Sequence, residues 1–267
     1  MPYVFANGIR LSYQRSGSGK SVLLIMGSGG SGHVWNMYQT PALRRAGYAP
    51  VTFDNRGIAP SDVPVGKYSL SDVVADTKGL IEALDLAPCR IIGTSLGAMI
   101  AQELAIDHPH LLRCAVLLAT RAHADAARFA QVAADRALVE SALEVPPEYS
   151  AVWTMTQMLS PATLNNDDAV STWLEVFALA SRSNDTANGQ VWIETTEDRR
   201  EALRAVSAPC RVIAYSDDLI TPPHLAAEVA NAIPDCDYIE IPNCGHMGNL
   251  EQPEKTNAAI IEFLDHH

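Results

Sequence analysis

The sequence is short of positive charge. Its 267 residues contain 19 lysines and arginines against 31 aspartates and glutamates, so the formal net charge is -12. Nucleic acids and anionic membrane surfaces attract proteins of the opposite charge. We therefore expect neither nucleic acid nor a membrane surface to be a partner of this chain.

Long apolar runs and a signal segment are also missing. No apolar run approaches the roughly 20 residues that a membrane-spanning helix needs, and residues 1–4 begin no cationic, apolar signal segment. The five cysteines show no C-x-x-C spacing and no cluster with histidine. This pattern is typical of buried thiols in a reducing compartment rather than of disulfides or a zinc site. We expect a cytoplasmic protein.

Motifs for metals and nucleotides are absent as well. The sequence has no His-Glu-x-x-His and no pair of carboxylates on a predicted helix. A glycine-rich loop at residues 27–32 lacks a Gly-Lys-Ser/Thr ending, so nucleotide binding is the weaker interpretation of this loop. We expect no metal and no cofactor.

The most informative stretch that is present is residues 90–101, where a short apolar run ends in Gly-x-Ser-x-Gly and a helix-forming run follows. In such a strand-to-helix turn a serine hydroxyl is held above the end of a sheet. Gly93 and Gly97 leave room for the strand and the helix to approach closely. The N–H of Leu96 points out of the new helix's N-terminus, where negative charge is favoured. The pattern predicts Ser95 as a nucleophile beside half of an oxyanion hole.

Apolar runs and amphipathic stretches alternate along most of the chain. A hairpin is predicted within residues 4–15, and the predicted helix at 71–86 carries its apolar residues on one face. Near-continuous apolar strands that alternate with helices indicate a mainly parallel, doubly wound sheet, whose chemistry lies at the carboxyl ends of the strands. Besides the strand before Ser95, strands are predicted at residues 22–26, 49–53, 113–119, 210–215 and 238–241.

The alternation stops in residues 122–205, which carry three of the four tryptophans and no strand pattern. This composition predicts a helical cap over the catalytic end of the sheet. We expect most of its large side chains to pack inside the cap, and a minority, with Trp153 and Met155 as candidates, to line an apolar acyl pocket. The helical patterns lie at residues 129–143, 149–159 and 169–181.

The last two predicted strands open into loops that carry an aspartate and a histidine. Asp218 follows the first of these strands, and His246 follows the second. Because parallel strands end at the same edge of a sheet, both residues are expected on the same side as Ser95. Asp217 is the adjacent rival to Asp218.

The chain order of serine, aspartate and histidine is that of the α/β-hydrolase superfamily, which the sequence resembles over nearly its whole length. Within it, the chain looks like the capped branch of esterases, lactonases and cofactor-free haloperoxidases. It is also similar to the hydrolases that accompany natural-product assembly lines in actinobacteria. The motifs that carry the resemblance are the loop at Gly27, residues 54–57, the elbow at 93–97, Asp218 with Pro222, and Gly245-His246 with Glu251 and Pro253.

The resemblance implies a particular architecture. It is an α/β-hydrolase fold with a mostly parallel, doubly wound, eight-stranded sheet and an inserted helical cap. Residues 1–121 and 206–267 would form the core, and residues 122–205 would form the cap.

The resemblance also implies roles for individual residues. Ser95 is expected to be the nucleophile and His246 the general base, and Asp218 would orient the imidazole. Asp218 is preferred to its neighbour because it has the family's offset from the following Thr-Pro pair. Gly27 and Met247 are further candidates for contact with the substrate.

Backbone N–H groups of Ser28 and Leu96 are the expected donors of the oxyanion hole. The chain departs from the family pattern nearby, because the usual His-Gly before the loop is Met26-Gly27 and an expected loop glycine is Ala59. Since the oxyanion donor is a backbone group, loss of the histidine side chain should leave it in place.

Three functions for a small-molecule substrate stay open at this point. The first is a serine hydrolase that cleaves a carboxylic ester, thioester or lactone with an apolar acyl part, through an acyl-enzyme at Ser95. The second keeps the same three residues but hydrolyses a C–C bond, or uses peroxide and registers as a haloperoxidase. The third is a slow-turnover ligand-binding receptor, which the intact elbow disfavours.

Overall fold

Eight strands form one sheet in the computed structural model, which describes residues 1–183 and 189–267, the side chains of 181–183 excepted. The strands are β1 (Tyr3–Ala6), β2 (Ile9–Arg15), β3 (Lys20–Ile25), β4 (Tyr48–Phe53), β5 (Cys89–Thr94), β6 (Leu112–Leu118), β7 (Cys210–Tyr215) and β8 (Cys236–Ile241). Their order across the sheet is β1-β2-β4-β3-β5-β6-β7-β8. β2 pairs antiparallel with β1 and β4, and all other pairs are parallel. The predicted mostly parallel, eight-stranded sheet is confirmed.

Helices cover both faces of this sheet. Buried residues of α2, α3 and α9 join the apolar cluster on one face, and those of α1 and α11 join the cluster on the other. The sheet is therefore doubly wound. The described helices are α1 (Gln39–Arg45), α2 (Leu70–Ala83), α3 (Leu96–Asp107), α4 (Ala126–Ser141), α5 (Pro147–Met158), α6 (Pro161–Leu164), α7 (Asp167–Ser183), α8 (Arg200–Leu203), α9 (Pro223–Ala232), α10 (Gly248–Glu251) and α11 (Pro253–His266).

The central strands have no solvent-facing side. Every residue of β4, β5 and β7 is buried, and neighbours such as Ile91 and Ile92 belong to the clusters on opposite faces. Burial of such a side chain stabilises the fold by about 1.5–3 kcal/mol. Covering on both faces explains why these strands read as continuous apolar runs instead of alternating ones.

The bounds of α2 and α4 differ from the sequence prediction because local capping groups and backbone conformation decide them. α2 starts at Leu70, where Ser69 and Asp72 form a reciprocal capping box, and ends at Ala83 because Asp85 is left-handed with φ 51°. α4 starts at Ala126, three residues earlier than predicted, because the Asp125 carboxylate accepts a hydrogen bond from an N–H of the first turn.

The chain between β6 and β7 contains α4 to α8 and no strand among its described residues. α5 and α7 pack together around Ala151, Met155, Leu159 and Phe177, which form an apolar cluster separate from the sheet. Residues 184–188 of the predicted cap lie outside the described part of the chain. The division into core and cap at residues 122–205 stays a prediction.

Within the described residues, no helix combines the length and the apolar character needed to cross a membrane.

Candidate active site

Ser95 lies between β5 and α3 in a left-handed backbone conformation, with φ 53° and ψ -118°. A non-glycine residue pays of order 1–3 kcal/mol for such a conformation unless its surroundings enforce it. Here the Ser95 N–H donates to Leu118 O at 3.0 Å, and the Ser95 carbonyl accepts from Ala98 N at 3.0 Å. The strand and the helix therefore hold the turn from both sides.

Three glycines allow the backbone segments around this turn to pack closely. A Cβ atom on Gly93 would lie 2.3 Å from Gly97 O, and one on Gly97 would lie 2.1 Å from Ile25 O. Both distances are far inside van der Waals contact with backbone that cannot move aside. A Cβ on Gly27 would lie 3.1 Å from the Ser95 Cβ. The glycine pattern read from the sequence thus corresponds to close approach of three backbone segments.

His246 and Asp218 form a buried pair at the carboxyl ends of β8 and β7. His246 Nδ1 lies 2.8 Å from Asp218 Oδ2 and 3.0 Å from Oδ1. The Asp218 oxygens also accept hydrogen bonds from Ile220 N at 2.8 Å, Thr221 N at 2.9 Å and Thr221 Oγ1 at 2.6 Å. The structure therefore places Asp218 against His246, while the N–H of Asp217 donates to Cys244 O.

The surroundings of Asp218 keep its carboxyl ionised. Burial acts to raise its pKa, but attraction to His246 and the hydrogen bonds from His246 and Thr221 hold the pKa below its usual value. A charged carboxylate can only accept hydrogen bonds. His246 Nδ1 must therefore carry the shared proton, which leaves the lone pair on Nε2.

A cavity of about 280 Å³ connects these groups, because Ser95 and Thr221 both line it. Thr221 Oγ1 in turn lies 3.4 Å from His246 Nδ1. The Ser95 hydroxyl makes no hydrogen bond to any residue in the described part of the chain. Hydrogen bonds between a nucleophile and its base are often long in a free enzyme and tighten when substrate binds.

Ser28 and Leu96, the predicted oxyanion donors, line the same cavity. Their backbone N–H groups make no hydrogen bond within residues 1–183 and 189–267, so both donors are free. Leu96 N is the first N–H of α3, where the helix dipole favours negative charge. Ser95 and the residues that carry the two unpaired donors therefore line the same cavity.

Gln190 holds the Ser28 loop, and sequence reasoning missed this residue. Its Oε1 accepts from Gly29 N at 2.8 Å and from Ser28 Oγ at 3.3 Å, while its Nε2 donates to Arg56 O at 2.7 Å. Gln190 is 3% exposed. No motif surrounds this glutamine in the sequence, so no signal could have connected it to a loop about 160 positions earlier.

Asp54 and Asn55 also hold this loop by hydrogen bonds. Asp54 Oδ1 accepts from Ser31 Oγ at 2.7 Å and Gly32 N at 2.9 Å, and Asn55 Nδ2 donates to Met26 O at 3.1 Å. Asp54 is therefore a structural tie of this loop.

Glu251 ties the histidine loop to the helical segment. Its Oε2 accepts from Gly245 N at 2.6 Å, while Oε1 accepts from Ser160 Oγ at 2.7 Å and Thr163 Oγ1 at 2.5 Å. A Cβ on Gly245 would lie 2.7 Å from Met158 O. The position of His246 therefore depends on the junction of α5 and α6 as well as on the sheet.

The four predicted substrate contacts lie outside the lining of the Ser95 cavity. Met155 is buried in the α5–α7 cluster, Met247 packs against that cluster, and Trp153 is 52% exposed. Gly27 is behind Ser95, next to its Cβ. Contact of these residues with a substrate stays a prediction.

Other residues line the cavity instead. One part of the wall is apolar, but Arg121, Arg128 and Asp135 also line it. Sequence reasoning missed these three. Arg128 and Asp135 lie on α4, which has no buried residue, so its pattern does not show which side faces Ser95. The apolar lining side chains are Leu96, Met99, Val132, Val191, Ile193 and Ile220.

A larger cavity of about 400 Å³ lies between α2, α3 and residues 194–199. It shares Met99, Arg121 and Thr195 with the Ser95 cavity but contains none of the three predicted catalytic residues. The predicted nucleophile and the two free N–H donors belong to residues that line the smaller cavity. The described residues contain no group of three or more histidine, cysteine or acidic side chains that could hold a metal ion.

Comparison with known proteins agrees with this geometry. A family model described as the alpha/beta hydrolase fold matches residues 20–253. The chain belongs to the α/β-hydrolase family.

Individual relatives cover nearly the whole chain. A Mycobacterium tuberculosis protein named non-heme bromoperoxidase BpoC is 41% identical over 257 residues, which are 96% of this chain and 98% of BpoC. The crystal structure of BpoC superimposes with a TM-score of 0.91, over 96% of this chain and 95% of that chain. A Pantoea ananatis protein named carbamate hydrolase RutD is 26% identical over 94% of this chain and 90% of its own.

Proposed function

We propose that this protein is a serine hydrolase that cleaves a carboxylic ester, thioester or lactone through an acyl-enzyme on Ser95. The observation that carries the proposal is the arrangement of one cavity. It joins the left-handed Ser95, two free backbone donors and, through Thr221, the buried His246–Asp218 pair.

The proposed reaction starts with attack of Ser95 Oγ on the substrate carbonyl carbon. His246 Nε2 takes the hydroxyl proton, and Asp218 stabilises the imidazolium that forms. The N–H groups of Ser28 and Leu96 bind the oxyanion, and one such donor is worth about 3–4 kcal/mol. His246 then protonates the leaving group, which departs and leaves the acyl-enzyme. Water attacks the acyl carbon with His246 as its base. The acid product leaves when His246 returns the proton to Ser95 Oγ.

The cavity wall supports the expectation of an apolar acyl part. Six of its lining side chains are apolar, and the cavity of about 280 Å³ suits a small substrate. A cytoplasmic location belongs to the same proposal, because all five cysteines are free and four of them are buried. Natural-product biosynthesis is a setting compatible with these features.

A second candidate is use of peroxide in place of water, which registers as haloperoxidase activity. The 41% identity to a protein named bromoperoxidase favours this candidate. Both reactions share the acyl-enzyme and differ only in the nucleophile that attacks it. C–C bond hydrolysis and slow-turnover ligand binding remain the other candidates.

A substrate panel tests the proposal. Short-chain esters, thioesters and lactones are assayed with and without peroxide, on the wild type and on Ser95→Ala. We expect hydrolysis by the wild type and a loss of more than about a thousandfold in Ser95→Ala. Equal turnover by both proteins would refute the role of Ser95, and turnover only with peroxide would favour the second candidate.

A further inference from the structure

Two arginines line the Ser95 cavity without a partner of opposite charge. Arg121 and Arg128 both line it, and neither guanidinium lies within salt-bridge distance of a carboxylate among the described residues. The Nε atoms of both are buried and without a hydrogen-bond partner. Arg121 donates to Thr195 O at 2.9 Å and Thr195 Oγ1 at 3.0 Å, which are neutral acceptors.

Other arginines with little exposure differ in their partners. Arg56 binds Asp76 at 2.7 Å and Arg211 binds Asp237 at 2.6 Å. Arg90 instead lies over the Tyr48 ring, away from the Ser95 cavity. Removing a cation from water without a counterion is costly. Burial lowers the pKa of Arg121 to about 10 and also lowers the pKa of Arg128. Nearby carboxylates act on both groups, Asp135 and Asp218 on Arg128 and Asp125 and Glu194 on Arg121, but none of the described carboxylates lies within salt-bridge distance.

Among the described residues, Asp135 is the one acidic side chain in the cavity lining. It accepts from Gln131 Nε2 at 2.8 Å, and burial raises its pKa. It lies within salt-bridge distance of neither arginine. The described lining thus holds two cations and one carboxylate, and neither guanidinium is paired with that carboxylate.

We propose that Arg128, assisted by Arg121, binds a carboxylate carried by the substrate, in the same cavity in which Ser95 attacks the acyl carbon. The substrate class is then an ester, thioester or lactone whose acyl part combines a short apolar chain with a free carboxylate. This inference rests on the proposed function. The guanidinium fork suits a planar carboxylate, and the Arg128 guanidinium donates no hydrogen bond to any described residue.

Two 4-nitrophenyl esters with the same five-carbon acyl chain isolate the effect of the negative charge. 4-Nitrophenyl hydrogen glutarate carries a free carboxylate, and its methyl ester carries none. The quantity measured is the ratio of kcat/KM for the acid to kcat/KM for the methyl ester, with Ser95→Ala giving the background rate. The ratio cancels any effect of a substitution on Ser95, His246 or Asp218, because both esters need those residues equally.

We expect the wild type to prefer the acid by about tenfold to a hundredfold, the range for a hydrogen bond to a charged group. Arg128→Gln is expected to abolish most of this preference, and Arg128→Lys to keep part of it. Arg204→Gln is the matched control, because it removes the same charge from an exposed position on the chain outside the cavity. A wild-type ratio near one, or the same ratio in Arg128→Gln as in Arg204→Gln, would overturn the inference.

A binding measurement separates this inference from the proposed function. Glutarate is titrated by calorimetry into the wild type, Arg128→Gln and Arg204→Gln. Affinity about tenfold weaker in Arg128→Gln alone supports the carboxylate site even if no ester is hydrolysed. Equal affinity in all three proteins contradicts it, even if Ser95 proves to be the nucleophile.

Discussion

The two carboxylate oxygens of Asp218 accept hydrogen bonds from four groups. The imidazole of His246, the backbone N–H groups of Ile220 and Thr221, and the Thr221 hydroxyl all converge there. Such a carboxylate is held in one orientation as well as in one charge state. Thr221 is thus a positioning residue, since it acts on the histidine through the aspartate.

Replacement of Thr221 by valine removes one of these donors at nearly constant shape. The 2.6 Å hydrogen bond from Thr221 Oγ1 to Asp218 is lost, while both backbone donors remain. A hydrogen bond to a charged group is worth about 1.5–3 kcal/mol, so we expect kcat/KM to fall by about tenfold or more. Steady-state kinetics on a hydrolysed ester measure the effect.

The matched control is Thr77→Val on α2. Its hydroxyl is also buried, but it donates only to Val73 O within its own helix. Activity within about twofold of the wild type is expected for this variant. Thr221→Val with the activity of Thr77→Val would show that the hydroxyl does not help to position the pair.

The placement of Ser95, Asp218 and His246 at one edge of the sheet could be predicted, because each of them follows a strand that the sequence marks clearly. The Gly-x-Ser-x-Gly spacing predicts where Ser95 lies, and the apolar runs before Asp218 and His246 put both at the same sheet edge. Arg128 and Gln190 could not be predicted. Their role depends on how α4 and the residues after 189 pack over the sheet. The sequence of a surface helix does not determine which of its sides faces the cavity.

At the scale of secondary-structure elements, the β5–α3 turn depends on backbone contact. α3 passes so close to β3 that a Cβ on Gly97 would lie 2.1 Å from Ile25 O. The small residues predicted the approach of α3 to β5, the strand before it, but not the contact of α3 with β3. The exact ends of α2 and α4 were missed, because capping side chains and single left-handed residues decide them.

Gly97→Ala is therefore expected to destabilise the protein. Forcing a methyl group against fixed backbone costs about 3 kcal/mol, which corresponds to a fall in Tm of roughly 6–12 °C for a chain of this size. Differential scanning fluorimetry measures the shift. The variant is also expected to lose activity, because the turn carries Ser95.

Gly30→Ala is the control for this prediction. Its Cβ would lie 2.6 Å from Met26 Cγ, which belongs to a flexible side chain that can move away. We expect a clearly smaller fall in Tm. Equal shifts for the two variants would mean that the close approach of α3 to β3 is not what requires glycine at position 97.

At the scale of the whole molecule, the cysteines are spread through the core without pairing. All five are free, and Cys89, Cys114, Cys210 and Cys244 are buried. Burial raises the pKa of Cys89 to about 12 and that of Cys114 to about 11. The thiolate is the reactive form, and it forms only as the pH rises towards the pKa. At pH 8 these thiols are therefore almost fully protonated as well as shielded.

We expect a disulfide reagent such as DTNB to react very slowly with the native protein at pH 8, and with five thiols after denaturation in urea. Cys236 is the most accessible of the five, so Cys236→Ser serves as the control for any slow native reaction. Rapid reaction of a thiol in the native protein, retained in Cys236→Ser, would contradict the packing described for the core.

The sheet, the helices on both faces and the family membership agree on a hydrolase, and activation of Ser95 is the claim on which the functional account depends. Intact-mass measurement after treatment with a fluorophosphonate tests this claim directly. We expect one covalent adduct on the wild type and none on Ser95→Ala or His246→Ala, with Thr77→Val labelled like the wild type. Absence of an adduct on the folded wild type, or an adduct that persists in Ser95→Ala, would contradict the account.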